Sequence, residues 1–258
     1  MRSAGDRACG ALSIPPSSPP SWCAAQRQWR SPAAHPGDKD GIDYIIEILG
    51  PLLQGTAVTL QVFLLTLLLS VPLGLGLALV RVSRFHLAST MVNGYIWLMR
   101  GTPLMLQMLF IYFALPFVPV IGVRLPDFPA AIVAFVLNYA AYYAEIFRAG
   151  IQSIERGQYE AARVLGLSYG QTMRRIVLPQ VVKRILPPMS NETITLVKDT
   201  SLIYVLAMND LLRAARGIVQ RDFTTMPFVV AAAFYLLMTL VLTWGFHYLE
   251  KRHAVYDE

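Results

Sequence analysis

An uncharged stretch of 25 residues, 56–80, is the feature that most constrains the fold of this chain. A transmembrane helix needs about 20 consecutive apolar residues, because the hydrocarbon core of a bilayer is about 30 Å thick. Arg81 and Arg84 follow the stretch at once, which is typical of a helix that ends at a membrane surface. The stretch therefore predicts a membrane protein.

Four further apolar stretches follow the first, at about 90–120, 128–151, 185–208 and 226–249. The first of these four is interrupted by Arg100-Gly101-Thr102-Pro103. The interruption predicts a broken or kinked helix, because proline cannot donate a backbone hydrogen bond and glycine loosens the turn. We predict an all-α membrane protein with about five transmembrane helices.

Residues 1–40 differ from the rest of the chain, because they are rich in proline and serine and contain no apolar run. A signal peptide needs an apolar region of about 7–15 residues. We predict a tail that is disordered or translated from a misassigned start codon, and that is dispensable for insertion into the membrane. Segment 42–53 is amphipathic and is predicted to lie at the membrane surface. The membrane domain is expected at 41–258, with a long polar loop at 152–184.

Composition argues against several classes of protein. Only 15% of the residues are charged, whereas soluble domains average about 25%. Both cysteines, Cys9 and Cys23, lie in the tail, so no disulfide framework is expected. The four histidines are scattered without metal-ligand spacing, and no catalytic cluster accompanies them. We predict no metal site, no catalytic residues and no nucleic-acid partner.

The distribution of lysine and arginine predicts the orientation in the membrane. Loops 81–89, 148–184 and 250–258 together contain 11 such residues, and loops 121–127 and 209–225 contain 4. Cytoplasmic loops carry the excess of positive charge. The first set and the C-terminus are therefore predicted to be cytoplasmic, and the N-terminus of the membrane domain to be outside. The five basic residues of the N-terminal tail argue the other way.

The longest polar loop predicts two short helices. The first, about 158–165, ends at Gly166, a natural residue for the left-handed turn after a helix. The second, about 169–177, follows Ser168, which is a plausible N-cap. The first helix is partly apolar although it lies in water. It is predicted either to fill a groove of a partner or to pack on its own helix bundle, and its spacing alone leaves both open.

The same loop contains the pattern E-A-A-x-x-x-G-x9-I-x-L-P over residues 160–179. The pattern resembles the cytoplasmic loop of bacterial ABC importer permease subunits, with every fixed position present. By this resemblance the loop forms the coupling helix that docks in a cleft of an ATPase. The residues to which the resemblance assigns coupling are Glu160, Ala161, Ala162, Gly166, Leu167, Ile176, Leu178 and Pro179.

Further segments resemble the polar amino-acid uptake family of these permeases, the histidine, glutamine, glutamate and arginine type. The resemblance covers about residues 43–252. The segments are Arg100-Gly101-Thr102-Pro103 with Gln107, Tyr143-x-Glu145-x-x-Arg148-x-Gly150-Ile151, and Lys198-Asp199-Thr200-Ser201-Leu202.

The resemblance implies the type I ABC importer permease fold and a subunit that translocates a polar amino acid across the bacterial inner membrane. It implies three partners: an ATPase, an extracytoplasmic amino-acid-binding protein, and a second permease subunit that is identical or homologous. The chain has no phosphate-binding loop of the form G-x-x-x-x-G-K-[ST], so ATP and Mg are expected on the ATPase and no cofactor in this chain. A stand-alone secondary transporter or channel is the alternative, although it leaves the long loop unexplained and an internal repeat is missing.

Polar residues inside the predicted spans are the remaining candidates, because a charge in hydrocarbon is costly and by default indicates function. Several recur at intervals of seven, which brings them within about 20° of one helix face. They face a translocation cavity or gate, or they join helices to one another. For Glu145 with Arg148 we favour a structural ion pair. The pathway or gate candidates are Arg100, Gln107, Glu192, Lys198 and Asp199.

Overall fold

The computed structural model describes residues 41–83, 85–117 and 122–253, which are helical and contain no strand. The chain divides into two units, 1–47 and 48–258. The first unit is described only at its end, where a helix begins at Gly41. The predictions for residues 1–40 lie outside the described residues.

Short turns join the helices of the described ranges. Residues Phe110–Ala114 and Met173–Val177 are π-helical, and Leu115–Phe117 and Thr200–Leu206 are 3-10 turns. The α-helices in chain order are α1 (Gly41–Val82), α2 (His86–Gly101), α3 (Leu104–Leu109), α4 (Asp127–Gln152), α5 (Arg156–Val164), α6 (Tyr169–Thr172), α7 (Leu178–Asp199), α8 (Leu211–Asp222) and α9 (Met226–His253).

Three of the described helices, α1, α4 and α9, are long and apolar enough to cross a membrane. Helix α2 and the segment Leu104–Phe117 are bent by 105° at the break between them, and they count as a fourth span if taken together. Helix α7 falls outside this group and carries five charged residues. The all-α membrane fold is confirmed, and the predicted number of about five spans is approximate.

Helix α1 is longer than the sequence predicted. The expected surface helix at 42–53 and the first span are one helix of 42 residues, so the prediction of a separate surface helix was wrong. At 1.5 Å per residue this helix is about 60 Å long, about twice the thickness of the hydrocarbon layer. Helix α1 therefore has about twice as many residues as a perpendicular crossing of the hydrocarbon layer needs.

Helix α4 forms the centre of the larger unit. Of the most apolar 18 residues of α4, 67% are buried, against 11% for the corresponding stretch of α9. Phe135, Tyr139 and Tyr143 of α4 are fully buried in the main core. Gly74 of α1 lies against this helix, and a Cβ atom there would sit 2.8 Å from the Cβ of Tyr143 and 3.0 Å from the carbonyl oxygen of Ala140. The glycine permits a close approach of α1 to α4.

Candidate functional site

The break between α2 and α3 leaves backbone carbonyls without their helical partners. Helix α2 ends at Gly101, and Thr102 and Pro103 have extended backbones. The carbonyls in the last turn of a helix need donors from elsewhere, and Pro103 has no N–H to offer. The bend can therefore persist only if side chains supply these donors.

Gln107 and Asn138 supply them. The Nε2 of Gln107 donates to the carbonyl oxygen of Met99 at 2.9 Å and to the Oγ1 of Thr102 at 2.7 Å. The Nδ2 of Asn138 donates to the same Met99 oxygen at 3.1 Å and to the Oε1 of Gln107 at 3.0 Å. We call these two amides the break clamp, because together they satisfy the end of α2 and hold α3 at its angle.

A cavity of about 500 Å³ lies beside the break. Charged residues from two helices line it, Arg100 from α2 and Glu192 and Asp199 from α7. Two tyrosines of α4 contact two of these charged groups, Arg100 and Asp199. The guanidinium of Arg100 lies 5.3 Å from the ring centroid of Tyr142, within the range of a cation–π contact. The hydroxyl of Tyr139 donates to the Oδ2 of Asp199 at 2.7 Å.

The structure places the pathway and gate candidates in three different settings. The charged residues Arg100, Glu192 and Asp199 come together around the cavity. Gln107 is bonded to the cavity-lining Asn138 through the break clamp. Lys198 is exposed on α7, and within the described ranges its ammonium has no ion pair. The functional roles of these residues stay predictions.

A second cavity, of about 570 Å³, shows how far the seven-residue spacing holds. Asn93 and Arg100 line it together, as expected for one helix face. Gln107 is the third residue of that series, and the 105° bend directs it into the break clamp instead. Arg81 and Glu145 complete the polar lining.

Glu145 accepts from two arginines. Arg148 pairs with it from one turn further along α4, as predicted, and Arg81 at the end of α1 pairs with it as well. The carboxylate and both guanidiniums are largely buried, at 22–23% exposed. The partner from α1 was missed because 64 residues separate it from Glu145 and no local spacing signals the contact. This Arg81–Glu145–Arg148 clasp ties α1 to α4.

The predicted turn at Gly166 is confirmed. Its φ of +72° lies in the left-handed region. The N–H of Gly166 donates to the carbonyl of Arg163 at 2.9 Å, and the N–H of Leu167 donates to the carbonyl of Ala162 at 3.0 Å. This pair of bonds is a Schellman motif, which ends a helix and satisfies its last carbonyls.

The predicted N-cap at Ser168 is also confirmed, with a capping box to Gln171. The second short helix, however, is not separate as predicted. Helix α6 continues through the π-helical turn Met173–Val177 directly into α7. Pro179 does not interrupt this path, and it lies directly after the π-helical turn, at the start of α7.

The position of Glu160 corrects another expectation. Helix α5 begins at Arg156, so Glu160 lies in its second turn and not in the first. A helix starting near residue 158 would have put Glu160 in the first turn, where free backbone N–H groups favour a carboxylate, and the observed start removes that contribution. Its side chain is exposed, as are those of Leu178 and Pro179, whereas Ile176 is half-buried.

Apolar side chains are exposed around the turn at Gly166. Val164, Leu165 and Tyr169 are 89%, 74% and 76% exposed, and Ala161 is exposed beside them. We call these four residues the loop patch. Ala162 in the same helix is buried, so α5 has one face on the bundle and presents the other outward.

Asp210 caps the N-terminus of α8. Its two carboxylate oxygens accept from the backbone N–H groups of Leu212 and Arg213, both at 3.1 Å. The residue is fully buried, and this burial raises the pKa of the Asp210 carboxyl above its usual range, while the two N–H donors act in the opposite direction. Among the described residues, no group of three or more histidine, cysteine or carboxylate side chains could hold a metal ion.

Comparison with known proteins agrees with this architecture. The family described as binding-protein-dependent transport system inner membrane component matches residues 70–255. The arginine transport system permease protein ArtQ of Bacillus subtilis is 38% identical over 194 residues, which cover 75% of this chain and 88% of that protein. The glutamine transport system permease protein GlnP of Escherichia coli is 38% identical over 205 residues, with coverages of 79% and 93%.

A solved structure is similar over nearly its whole length. The crystal structure of an amino acid ABC transporter with histidines contains a chain that superposes with a TM-score of 0.74 at 34% identity, and the match covers 83% of this chain and 99% of that one. Fold and sequence thus define the membrane subunit of a transporter. The chain belongs to the family of binding-protein-dependent transport system inner membrane components.

Family membership confirms the resemblance found in the sequence. The chain is a multi-pass permease subunit of an ABC importer, a transport subunit and not an enzyme. It is a component of an inner membrane. The stand-alone transporter or channel, the alternative that the sequence left open, is disfavoured by this family.

Proposed function

We propose that this permease moves a polar amino acid across the bacterial inner membrane. Relatives named for arginine and glutamine transport support an amino acid as the solute. The cavity beside the break supports it as well, since Arg100 suits a carboxylate and the acids Glu192 and Asp199 suit an ammonium group. Both charged groups of a zwitterion would find opposite charges there.

The loop patch is the observation that carries the link to ATP hydrolysis. Exposed apolar side chains in an otherwise polar loop indicate a surface that a partner covers. A short helix that presents such a face suits a groove on the partner. The partner is the ATPase of the importer, which binds ATP and Mg, and the coupling residues are those of the E-A-A-x-x-x-G pattern at 160–179.

The orientation and the other partners follow the charge distribution. The loops on the side of the loop patch contain eleven lysines and arginines, and loops 121–127 and 209–225 contain four, which supports a cytoplasmic loop 148–184 and a cytoplasmic C-terminus. The N-terminus of the membrane domain is then outside. An extracytoplasmic binding protein delivers the amino acid to that outer side, and a second permease subunit completes the translocation path.

Two glycines of the loop provide a matched test. Gly166 has φ +72°, whereas Gly170 has an ordinary backbone, and a Cβ atom at either would meet nothing within 4 Å. Gly166→Val should strain the turn by roughly 1 kcal/mol or more and weaken docking of the ATPase, and Gly170→Val should leave docking unchanged. The measurements are co-purification of the ATPase, ATP turnover and amino-acid uptake in proteoliposomes.

Glu160→Lys tests the same surface without changing the turn, because its side chain is exposed. We expect normal insertion with weaker docking, or ATP turnover that no longer drives uptake. Normal co-purification and normal uptake in both Gly166→Val and Glu160→Lys would show that the loop is ordinary surface, and the proposed coupling would be lost.

A further inference from the structure

Helix α8 is amphipathic, and its outward face is basic. Leu211, Ala214, Ala215 and Ile218 are buried against the bundle. Arg213, Arg216, Gly217 and Gln220, at positions i, i+3, i+4 and i+7, line an open cavity of about 460 Å³ on the other face. Arg221 lies at its edge, where it pairs with Asp222.

The two central arginines of this face both contact the ring of one tyrosine, Tyr204. The guanidiniums of Arg213 and Arg216 lie 5.8 Å and 5.0 Å from the ring centroid of Tyr204. Neither forms an ion pair within the described ranges. Asp210 interacts electrostatically with Arg213, but its two oxygens already accept the N–H groups at the start of α8. Two arginines that form no ion pair among the described residues thus line this cavity.

The position of these charges is unusual for the chain. The two loops assigned to the outside, 121–127 and 209–225, contain four lysines and arginines, and three of these are on α8. Membrane proteins carry most of their positive charge in cytoplasmic loops, so a basic cluster on the outer side has a different explanation. Recognition of a negatively charged partner is an explanation that fits the geometry.

We propose that Arg213, Arg216 and Tyr204 form the surface on which an acidic patch of the extracytoplasmic binding protein docks. The amides of Asn209 and Gln220 surround the arginines. Tyrosine and arginine are the side chains that protein interfaces favour, and planar guanidiniums pair with carboxylates through two hydrogen bonds. This inference rests on the proposed function, because it requires the orientation and the binding protein assigned there.

The contact also lies close to the transport cavity. Tyr204 belongs to the 3-10 turn Thr200–Leu206, which directly follows Asp199 at the end of α7. Leu202 of the same turn lines the cavity beside the break. A partner that docks on Tyr204 therefore contacts the segment that leads to the cavity carboxylate.

Charge reversal on this face tests the proposal. The permease–ATPase complex is placed in nanodiscs of pure phosphatidylcholine. The probe is the extracytoplasmic binding protein that stimulates ATP turnover of the wild-type complex. The variant Arg213→Glu/Arg216→Glu should bind this protein at least about tenfold more weakly, with a smaller salt dependence of the Kd. Arg124→Glu is the matched control, because Arg124 is an exposed arginine of the other outer loop.

Basal ATP turnover and ATPase co-purification establish that each variant is folded. The conservative Arg213→Lys/Arg216→Lys keeps the charge and should retain most of the affinity. If the binding protein stimulates the wild type and binds the charge-reversed variant with an unchanged Kd, the docking inference is overturned and the proposed function stands. If no binding protein stimulates the wild type, both the proposed function and the docking inference fail. An effect that appears only in nanodiscs with phosphatidylglycerol would also overturn the inference, since it would assign the arginines to a lipid headgroup.

Discussion

The side-chain amide of Asn138 in α4 donates a 3.0 Å hydrogen bond to the side-chain carbonyl of Gln107 in α3, beside the break between α2 and α3. Both amides also donate to the carbonyl oxygen of Met99, the end of α2. The two side chains thus act as one unit. Gln107, a candidate for the translocation pathway, is a structural neighbour of the cavity, and its bonds account for the persistence of the bend.

Gln107→Leu should therefore destabilise the permease by roughly 1–3 kcal/mol, because it leaves polar groups at the break without a donor. Asn138→Leu should have an effect of similar size. The double variant should lose less stability than the sum of the losses in the two single variants, because the two side chains share partners. Thermal unfolding of the purified protein in detergent measures all three. Asn93→Leu, an exposed site on α2, is the control, and additive effects of the break-clamp variants would contradict the idea of a single unit.

Gly74→Ala should destabilise by roughly 1–3 kcal/mol, because its new methyl group would overlap the Cβ of Tyr143 and the backbone of α4. Gly76→Ala, two residues further along α1, meets nothing within 4 Å and should be neutral or slightly stabilising. Unfolding temperatures of the two variants give the comparison. Equal values would mean that α1 and α4 are not in close contact at Gly74.

Glu145→Gln should destabilise more than Arg81→Gln. Glu145 is the shared partner of two arginines, so its neutralisation leaves both largely buried guanidiniums without a countercharge. Loss of Arg81 leaves the pair with Arg148 in place. We expect roughly 1–3 kcal/mol for the glutamate variant and less for the arginine variant, measured by thermal unfolding. The reverse order would argue against the clasp.

Asp210→Ala should destabilise by about 1 kcal/mol or more, because the start of α8 loses its acceptors in a buried site. Asp210→Asn keeps an acceptor and should be close to the wild type. The raised pKa of Asp210 gives the sign of a pH effect. Ionisation of this carboxyl lowers stability as the pH rises from its unfolded pKa through its higher folded pKa, and the asparagine variant should lack that decrease. Unfolding temperatures between pH 3 and pH 7 measure it; a wild-type profile parallel to that of the asparagine variant would contradict it.

Local signals in the sequence predicted local structure well. The left-handed turn at Gly166, the cap at Ser168 and the helix break at Arg100–Pro103 each depend on a few adjacent residues, and the structure has all three. The residues of the cavity could be nominated from their charge inside predicted spans. That these residues lie around one cavity depends on the tertiary packing of α2 and α7, which the sequence alone does not show.

Contacts between distant segments could not be predicted. The pairing of Arg81 with Glu145 and that of Gln107 with Asn138 follow from tertiary packing, for which a single sequence has no periodic signal. The continuity of α6 with α7 was missed for a different reason. The sequence predicted a short helix at about 169–177 and a span from about 185, and residues 178–184 between them gave no signal that the helix continues.

The helical path from Tyr169 to Asp199 has no loop in it. Its 31 residues correspond to a rod about 45 Å long at 1.5 Å per residue. One end carries a residue of the loop patch, and the other carries a carboxylate of the cavity. If this path moves as one straight unit, a tilt of about 5° around its middle displaces each end by about 2 Å, in opposite directions. A displacement of the end at the loop patch would then move the cavity carboxylate in the opposite direction.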